Sequence, residues 1–96
     1  MKKEIKKEEL FDLDYTLVEF ILPRLAAFRK LKRTSYPSSF KSLKEWNSAI
    51  DEMIYGMKYV LKKGLARYKF KPMLKIDKRA ENGLVIFAKN LLSLWD

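Results

Sequence analysis

Three stretches of the chain repeat their apolar residues at the three- and four-residue steps of an amphipathic helix. They span about residues 12–33, 43–63 and 78–95, and polar connections separate them. Helices that each carry one apolar stripe must bury it against one another. The pattern therefore predicts an all-α fold, a compact three-helix bundle with a basic connecting segment between the second and third helices.

The first predicted helix has several candidate starts and one internal proline. Thr16-x-x-Glu19 matches a capping box, so the helix begins at Asp12, Asp14 or Thr16. Pro23 removes one backbone hydrogen bond and is expected to kink the helix. A basic run in the expected last turn suits the helix dipole and consists of Arg29, Lys30, Lys32 and Arg33. The apolar stripe comprises Leu13, Leu17, Phe20, Ile21, Leu25, Phe28 and Leu31.

The second predicted helix has the clearest start in the chain. Ser42-x-x-Glu45 is a capping box. Gly56 lies inside the helix, where it costs about 1 kcal/mol relative to alanine and permits close approach of another helix. Gly64 either ends the helix or lies within a longer one. The apolar stripe consists of Leu43, Trp46, Ile50, Met53, Met57, Val60 and Leu61.

The third predicted helix follows a basic segment. Residues 64–76 form either a loop or a short extended segment, and Asp77 then caps the helix. Its main apolar face carries Ala80, Gly83, Leu84, Phe87, Ala88, Leu91, Leu94 and Trp95. Three further apolar residues, Val85, Ile86 and Leu92, lie off that face. Such a helix is either central in the bundle or half of a homodimer interface.

The composition limits the chemistry that the chain can perform. Its 96 residues make one domain, with a charged arm at residues 1–10 and a helical domain at 11–96. The sequence has no cysteine and no histidine, which excludes thiol chemistry, His-activated nucleophiles and common zinc ligands. No stretch is apolar for long enough to span a membrane. We therefore expect no enzyme, no catalytic or metal-binding residues and no cofactor.

The charge of the chain is concentrated in its middle. Residues 24–79 carry sixteen Lys and Arg but four Asp and Glu, whereas the whole chain has a net charge of +9. Such a basic region predicts an acidic partner, which is either a protein or a nucleic acid.

The candidate binding face comprises the outer side of the second helix and the basic segment at residues 64–76 that follows it. Lysines there alternate with tyrosines, and such a pattern can hold phosphates while the rings stack on bases. Alternatively, the tyrosines pack under another helix and the lysines are merely solvated. The candidate residues are Tyr55, Lys58, Tyr59, Lys62, Lys63, Arg67, Lys69 and Lys71.

Arg24 is a further candidate because it falls near the middle of the first helix's apolar arc. A buried guanidinium needs a carboxylate partner, for which Asp14, Asp51 or Asp96 is available. The alternatives are a structural ion pair and a pocket in which Arg24 binds a phosphate or carboxylate.

The order of several short strings resembles a family of small tailed-bacteriophage proteins without an assigned activity. The matching strings cover about half of the positions from residue 14 to the end. They are Asp14-Tyr15-Thr16, Phe20-Ile21-Leu22-Pro23-Arg24-Leu25, Phe28, Tyr36-Pro37, Glu45-Trp46, Ile50-Asp51, Met53-Ile54-Tyr55, Gly83, Phe87-Ala88-Lys89 and Leu94-Trp95-Asp96.

The resemblance implies a viral protein that works in the cytoplasm of an infected bacterium, and it transfers no catalytic residue. Two hypotheses follow. In one, the protein binds a host or phage macromolecule and inhibits host replication or defence. In the other, it binds nucleic acid or a nucleotide through the basic Lys/Tyr face.

Overall fold

The computed structural model describes residues 4–7, 10, 13–67 and 77–95. They contain three α-helices, α1 (Leu13–Lys30), α2 (Leu43–Arg67) and α3 (Lys78–Lys89), followed by a 3-10 helix, Leu91–Ser93. No strand occurs among these residues. The predicted all-α three-helix bundle is therefore confirmed, although the ends of all three helices differ from the prediction.

Helix α1 is shorter than the predicted 12–33. Its last turn contains Arg29 and Lys30, as expected, but the chain leaves the helix before Arg33. The Arg33 side chain folds back, donating to the Arg29 carbonyl oxygen at 3.3 Å and to Asn47 Oδ1 at 2.6 Å. It is only 8% exposed. This contact with α2 requires a turn after Lys30, which explains why the basic run is not one helical segment.

At the other end of α1, Thr16 lies inside the helix and does not cap it. Asp14 lies in the first turn, where its Oδ1 accepts a hydrogen bond from the Tyr15 N–H at 2.9 Å. Asp12, the third candidate start, lies outside the described residues. The helix continues through Pro23.

Helix α2 begins where the capping box predicts. Ser42 Oγ accepts a hydrogen bond from the Glu45 N–H at 3.1 Å, and Glu45 Oε1 accepts one from the Lys41 N–H at 3.1 Å. The Glu45 carboxylate thus binds the backbone of Lys41, the residue before the Ser42 cap. The helix runs to Arg67, four residues past the predicted end, so Gly64 lies within it.

The predicted stripe of α2 forms the centre of the core. Trp46, Ile50 and Met53 are the largest fully buried side chains, and Met57 is nearly as buried. The ring of Phe40, from the connection before α2, lies 5.0 Å from that of Trp46. The central position of α2 explains why its apolar face is the most regular in the sequence.

Helix α3 begins at the predicted cap, with the Asp77 carboxylate accepting from the Arg79 N–H at 3.0 Å. The prediction of one helix over 78–95 is wrong, because α3 ends at Lys89. The side-chain amide of Asn90 donates to the Ile86 carbonyl oxygen at 2.9 Å, and its backbone N–H is shared between Ile86 and Phe87. These bonds occupy the last carbonyls of the helix, and the chain continues as the 3-10 helix.

The two outer helices pack against α2 in different places. A Cβ atom on Gly83 would overlap the backbone of Glu52, and one on Gly56 would lie 2.8 Å from the Ala80 carbonyl oxygen. The two glycines thus let the α2 and α3 backbones approach closely, as predicted for Gly56. In contrast, no Cα atom of α1 comes within 8 Å of one in α3. The outer helices therefore leave a gap between them.

Candidate functional site

The predicted basic face is only partly described by the structure. Lys58 and Lys62 are exposed on the outer side of α2, opposite the buried stripe, as the sequence predicts. Lys63 and Arg67 belong to the last turns of α2. Lys69 and Lys71 lie outside the described residues.

The two tyrosines of that face contact the start of α3. The Tyr55 hydroxyl donates to the Asp77 carboxylate, and the Tyr59 hydroxyl accepts a hydrogen bond from the Asp77 backbone N–H at 3.1 Å. The Arg79 guanidinium carbon lies 4.0 Å from the centre of the Tyr55 ring. Both hydroxyls and one ring face are thus used in joining α2 to α3, as the structural alternative proposed.

Charged side chains also take part in this contact between α2 and α3. We call the group the Tyr55–Asp77 cluster; it consists of Glu52, Tyr55, Tyr59, Asp77 and Arg79. The hydrogen bond from Tyr55 lowers the pKa of Asp77 and, reciprocally, raises the pKa of the Tyr55 hydroxyl. Arg79 donates two hydrogen bonds of 2.8 Å to Glu52, and this side-chain hydrogen bonding lowers the pKa of the Glu52 carboxyl. The cluster therefore joins the two helices. Both of its carboxylates already accept hydrogen bonds from side chains within the cluster.

A different surface is exposed on α1. Only Val18 and Leu25 of this helix are buried. Leu13, Leu17 and Phe20, which the sequence placed in the apolar stripe, are 48, 52 and 58% exposed. Among the described residues, α2 covers one part of the apolar arc of α1, and the part with Leu13, Leu17 and Phe20 stays exposed.

Beside this exposed row, α1 forms one wall of an apolar groove of about 300 Å³. The other wall comes from the end of α3 and the segment that follows it. We call this the α1–α3 groove. Its lining consists of Phe20, Ile21, Arg24, Leu25, Phe28, Phe87, Leu91 and Leu94. Residues 70 positions apart thus meet because both outer helices pack on α2.

Arg24 contributes the charged side chain of this groove. The sequence left open whether this side chain is buried, and the structure shows it exposed on α1, on a side that no described helix covers. Its Nη1 donates to the Phe20 carbonyl oxygen at 2.8 Å, and its guanidinium carbon lies 3.8 Å from the centre of the Phe20 ring. Asp51, a predicted partner, instead binds Arg29 at 2.8 Å.

The structure separates the three residues predicted for a homodimer interface. Ile86 packs against the core although it lies off the main apolar face, so its side chain is not available for a dimer interface. Val85 is 44% exposed, and Leu92 is 91% exposed beyond the end of α3. A dimer through Val85 and Leu92 stays a prediction.

A second pocket, of about 200 Å³, lies at the turn after α1. Arg33, Tyr36, Trp46 and Trp95 are among its lining residues. Neither this pocket nor the α1–α3 groove is predicted by the sequence pattern, because both combine residues from distant parts of the chain. The one available signal was the width of the apolar arc on α1.

The described residues contain no group of three or more acidic or other metal-ligating side chains arranged to hold a metal ion. Nor does any described helix combine the length and the apolarity that crossing a membrane requires. No family model, curated protein or solved structure matches the chain.

Proposed function

We propose that this chain is a non-enzymatic protein-interaction module whose contact surface is the uncovered face of α1 together with the α1–α3 groove. The observation that carries the proposal is the row of half-exposed apolar side chains at Leu13, Leu17 and Phe20. Scattered exposed apolar residues are ordinary, but a contiguous row beside a groove is typical of a protein-binding surface. Burial of this row in a complex would supply binding free energy without any catalytic group.

The biological setting that we propose comes from the sequence resemblance to small tailed-phage proteins. Such a protein would act in the host cytoplasm, where it would bind a host or phage macromolecule and inhibit replication or defence. The net charge of +9 favours an acidic partner, because opposite charges accelerate association and disfavour wrong partners.

Nucleic-acid binding remains the second candidate, and the exposure of Lys58 and Lys62 on the outer side of α2 favours it. Stacking on bases is less favoured than the sequence alone suggested. Arg79 covers one face of the Tyr55 ring, and the hydroxyls of Tyr55 and Tyr59 are hydrogen-bonded to Asp77. Any such binding would rest mainly on phosphate contacts and would weaken steeply with salt.

An affinity capture from bacterial lysate, with and without nuclease, tests the two candidates. The baits are the wild type, a surface variant (Leu17→Gln with Phe20→Ser) and a charge variant (Lys58→Glu with Lys62→Glu). All substituted side chains are exposed, so thermal melting should show three folded baits.

We expect the wild type and the charge variant to retain the same protein after nuclease treatment, and the surface variant to lose it. Recovery of nucleic acid that nuclease removes and the charge variant abolishes would instead support nucleic-acid binding. Protein capture that the surface variant retains in full would contradict the proposed contact surface.

A further inference from the structure

The α1–α3 groove lies between two helices that both pack on α2, and it has apolar walls on both sides. A hydrophobic groove of this kind can accept the apolar face of an amphipathic helix. The described residues contain no strand, so they offer no sheet edge to which an extended peptide could add.

The dimensions of the uncovered face agree with a helical occupant. The exposed row and the groove lining together extend along α1 from Leu13 to Phe28, which is fifteen residue steps or about 22 Å at 1.5 Å per residue. A helix of four turns spans about the same length and presents apolar side chains at i, i+3 or i+4, and i+7. The apolar walls of the groove, which has a volume of about 300 Å³, offer few hydrogen bonds to water, so apolar side chains of a partner can replace that water at little cost.

Arg24 indicates which chemical group a partner bound in the groove should carry. The contacts of its guanidinium with Phe20 hold it beside the groove and use one of its five N–H donors. No carboxylate among the described residues pairs with it. A guanidinium beside an apolar groove favours a carboxylate, because the charge-assisted hydrogen bond strengthens as water is excluded.

The acidic side chains around the bundle do not supply that carboxylate, because internal contacts occupy most of them. Arg29 binds Asp51, Arg79 binds Glu52, Lys78 binds Glu81, and Tyr55 donates to Asp77. The remaining excess of positive charge therefore faces outward. It disfavours a second copy of this chain, which also carries +9, and favours an acidic partner.

From shape and charge together we infer that the α1–α3 groove binds one amphipathic helix of an acidic protein, with its apolar side chains in the groove and an Asp or Glu on Arg24. This inference rests on the proposed function and specifies its partner. Apolar burial supplies most of the affinity, whereas Arg24 selects the acidic residue and fixes the register of the bound helix.

Selection from a display library of helical peptides with randomised surface positions tests this inference. The full chain is immobilised as the wild type, Arg24→Gln, Leu91→Ser and Lys58→Gln. Lys58→Gln is the matched control, because it removes another exposed positive charge that does not line the groove. Leu91→Ser removes an apolar wall residue that is 54% exposed.

We expect the wild type and Lys58→Gln to enrich peptides that combine the i, i+3 or i+4, i+7 apolar pattern with an Asp or Glu. Arg24→Gln should keep the apolar pattern and lose the acidic preference, and Leu91→Ser should enrich weakly. With one enriched peptide, changing its acidic residue to the amide should weaken binding about tenfold for the wild type and not for Arg24→Gln.

Three results would overturn the inference. They are no helical enrichment on the wild type, an acidic preference that survives Arg24→Gln, and wild-type self-association in sedimentation experiments that Leu17→Gln abolishes. If the selection fails while lysate capture still depends on Leu17 and Phe20, the inference is wrong and the proposed function stands. If lysate capture also fails to depend on them, both are wrong.

Discussion

The two outer helices are attached to α2 in contrasting ways. Between α2 and α3 the backbones meet at Gly56 and Gly83, and the Tyr55–Asp77 cluster joins the helices beside that contact. Helix α1 instead packs through buried side chains, chiefly Val18 and Leu25, and one ion pair between Arg29 and Asp51.

The contrast shows how a small bundle can present an apolar surface without losing its fold. Helices α2 and α3 are held by a close backbone contact at Gly56 and Gly83. Helix α1 packs on α2 through one part of its apolar arc and leaves Leu13, Leu17 and Phe20 exposed. The close helix contact and the proposed binding surface therefore lie on different helices.

The largest effect is expected at the backbone contact, from Gly83→Ala. The new methyl group would overlap the Glu52 backbone, which cannot rotate away as a side chain can. The two helices must separate, and we expect a loss of about 3 kcal/mol or more in unfolding free energy, measured by denaturant titration.

Asn82→Ala is the matched control for this substitution, because residue 82 is exposed on the same helix. We expect it to change the free energy of unfolding by less than about 0.5 kcal/mol. A Gly83→Ala protein as stable as this control would show that the helices do not meet at Gly83.

Two substitutions on α1 test the division of its apolar arc. Leu25→Ala removes a side chain that is 4% exposed and should cost about 2–3 kcal/mol of unfolding free energy. Leu17→Gln alters a side chain that is 52% exposed and should change it by less than about 0.5 kcal/mol. Equal losses in thermal or denaturant unfolding would mean that both halves of the arc are covered.

The sequence predicted the features that depend on neighbouring residues. The Ser42 and Asp77 caps and the stripe through Trp46 are local patterns, and all three are confirmed. The end of α1 was missed because it depends on the contact of Arg33 with Asn47, fourteen residues away. A helix end set by such a contact leaves no local signal at Lys30.

The candidate site was predicted less well for the same reason. Tyr55 and Tyr59 look like a stacking face until Asp77, 22 and 18 residues away, is placed against them. Arg24 lies in the apolar arc as the sequence indicates, but the periodicity of one helix cannot show which part of its arc a neighbour covers. The groove requires the positions of both outer helices.

A smaller effect, outside both interfaces, is expected from Ser42→Ala at the start of α2. The substitution removes the acceptor for the Glu45 N–H and should cost about 1 kcal/mol of unfolding free energy. Ser42→Asn, which can cap the helix, should restore most of it. If chemical denaturation shows that Ser42→Ala unfolds with the same free energy as the wild type, the Ser42 cap does not stabilise the protein.

The smallest effect expected is a pH dependence confined to the α2–α3 side. The pKa values of Glu52 and Asp77 are lowered in the folded protein, so their contributions are present above the unfolded values near 4.5 and 3.8 and are lost as the pH falls through the folded ones. The pKa of Tyr55 is raised above 10.0, so its contribution is present below pH 10 and is lost as the pH rises further.

Tyr55→Phe should remove the alkaline part of this dependence and reduce the acid part, because Asp77 loses the hydrogen bond that most lowers its pKa. Melting temperatures of the wild type and Tyr55→Phe from pH 2 to 11 measure both limbs, with Tyr36→Phe as the control because Tyr36 is exposed outside the cluster. The wild type should exceed Tyr55→Phe most between pH 5 and 9, and the difference should shrink at both extremes. A constant difference over the whole range would mean that the Tyr55 ring, and not its hydroxyl, joins α3 to α2.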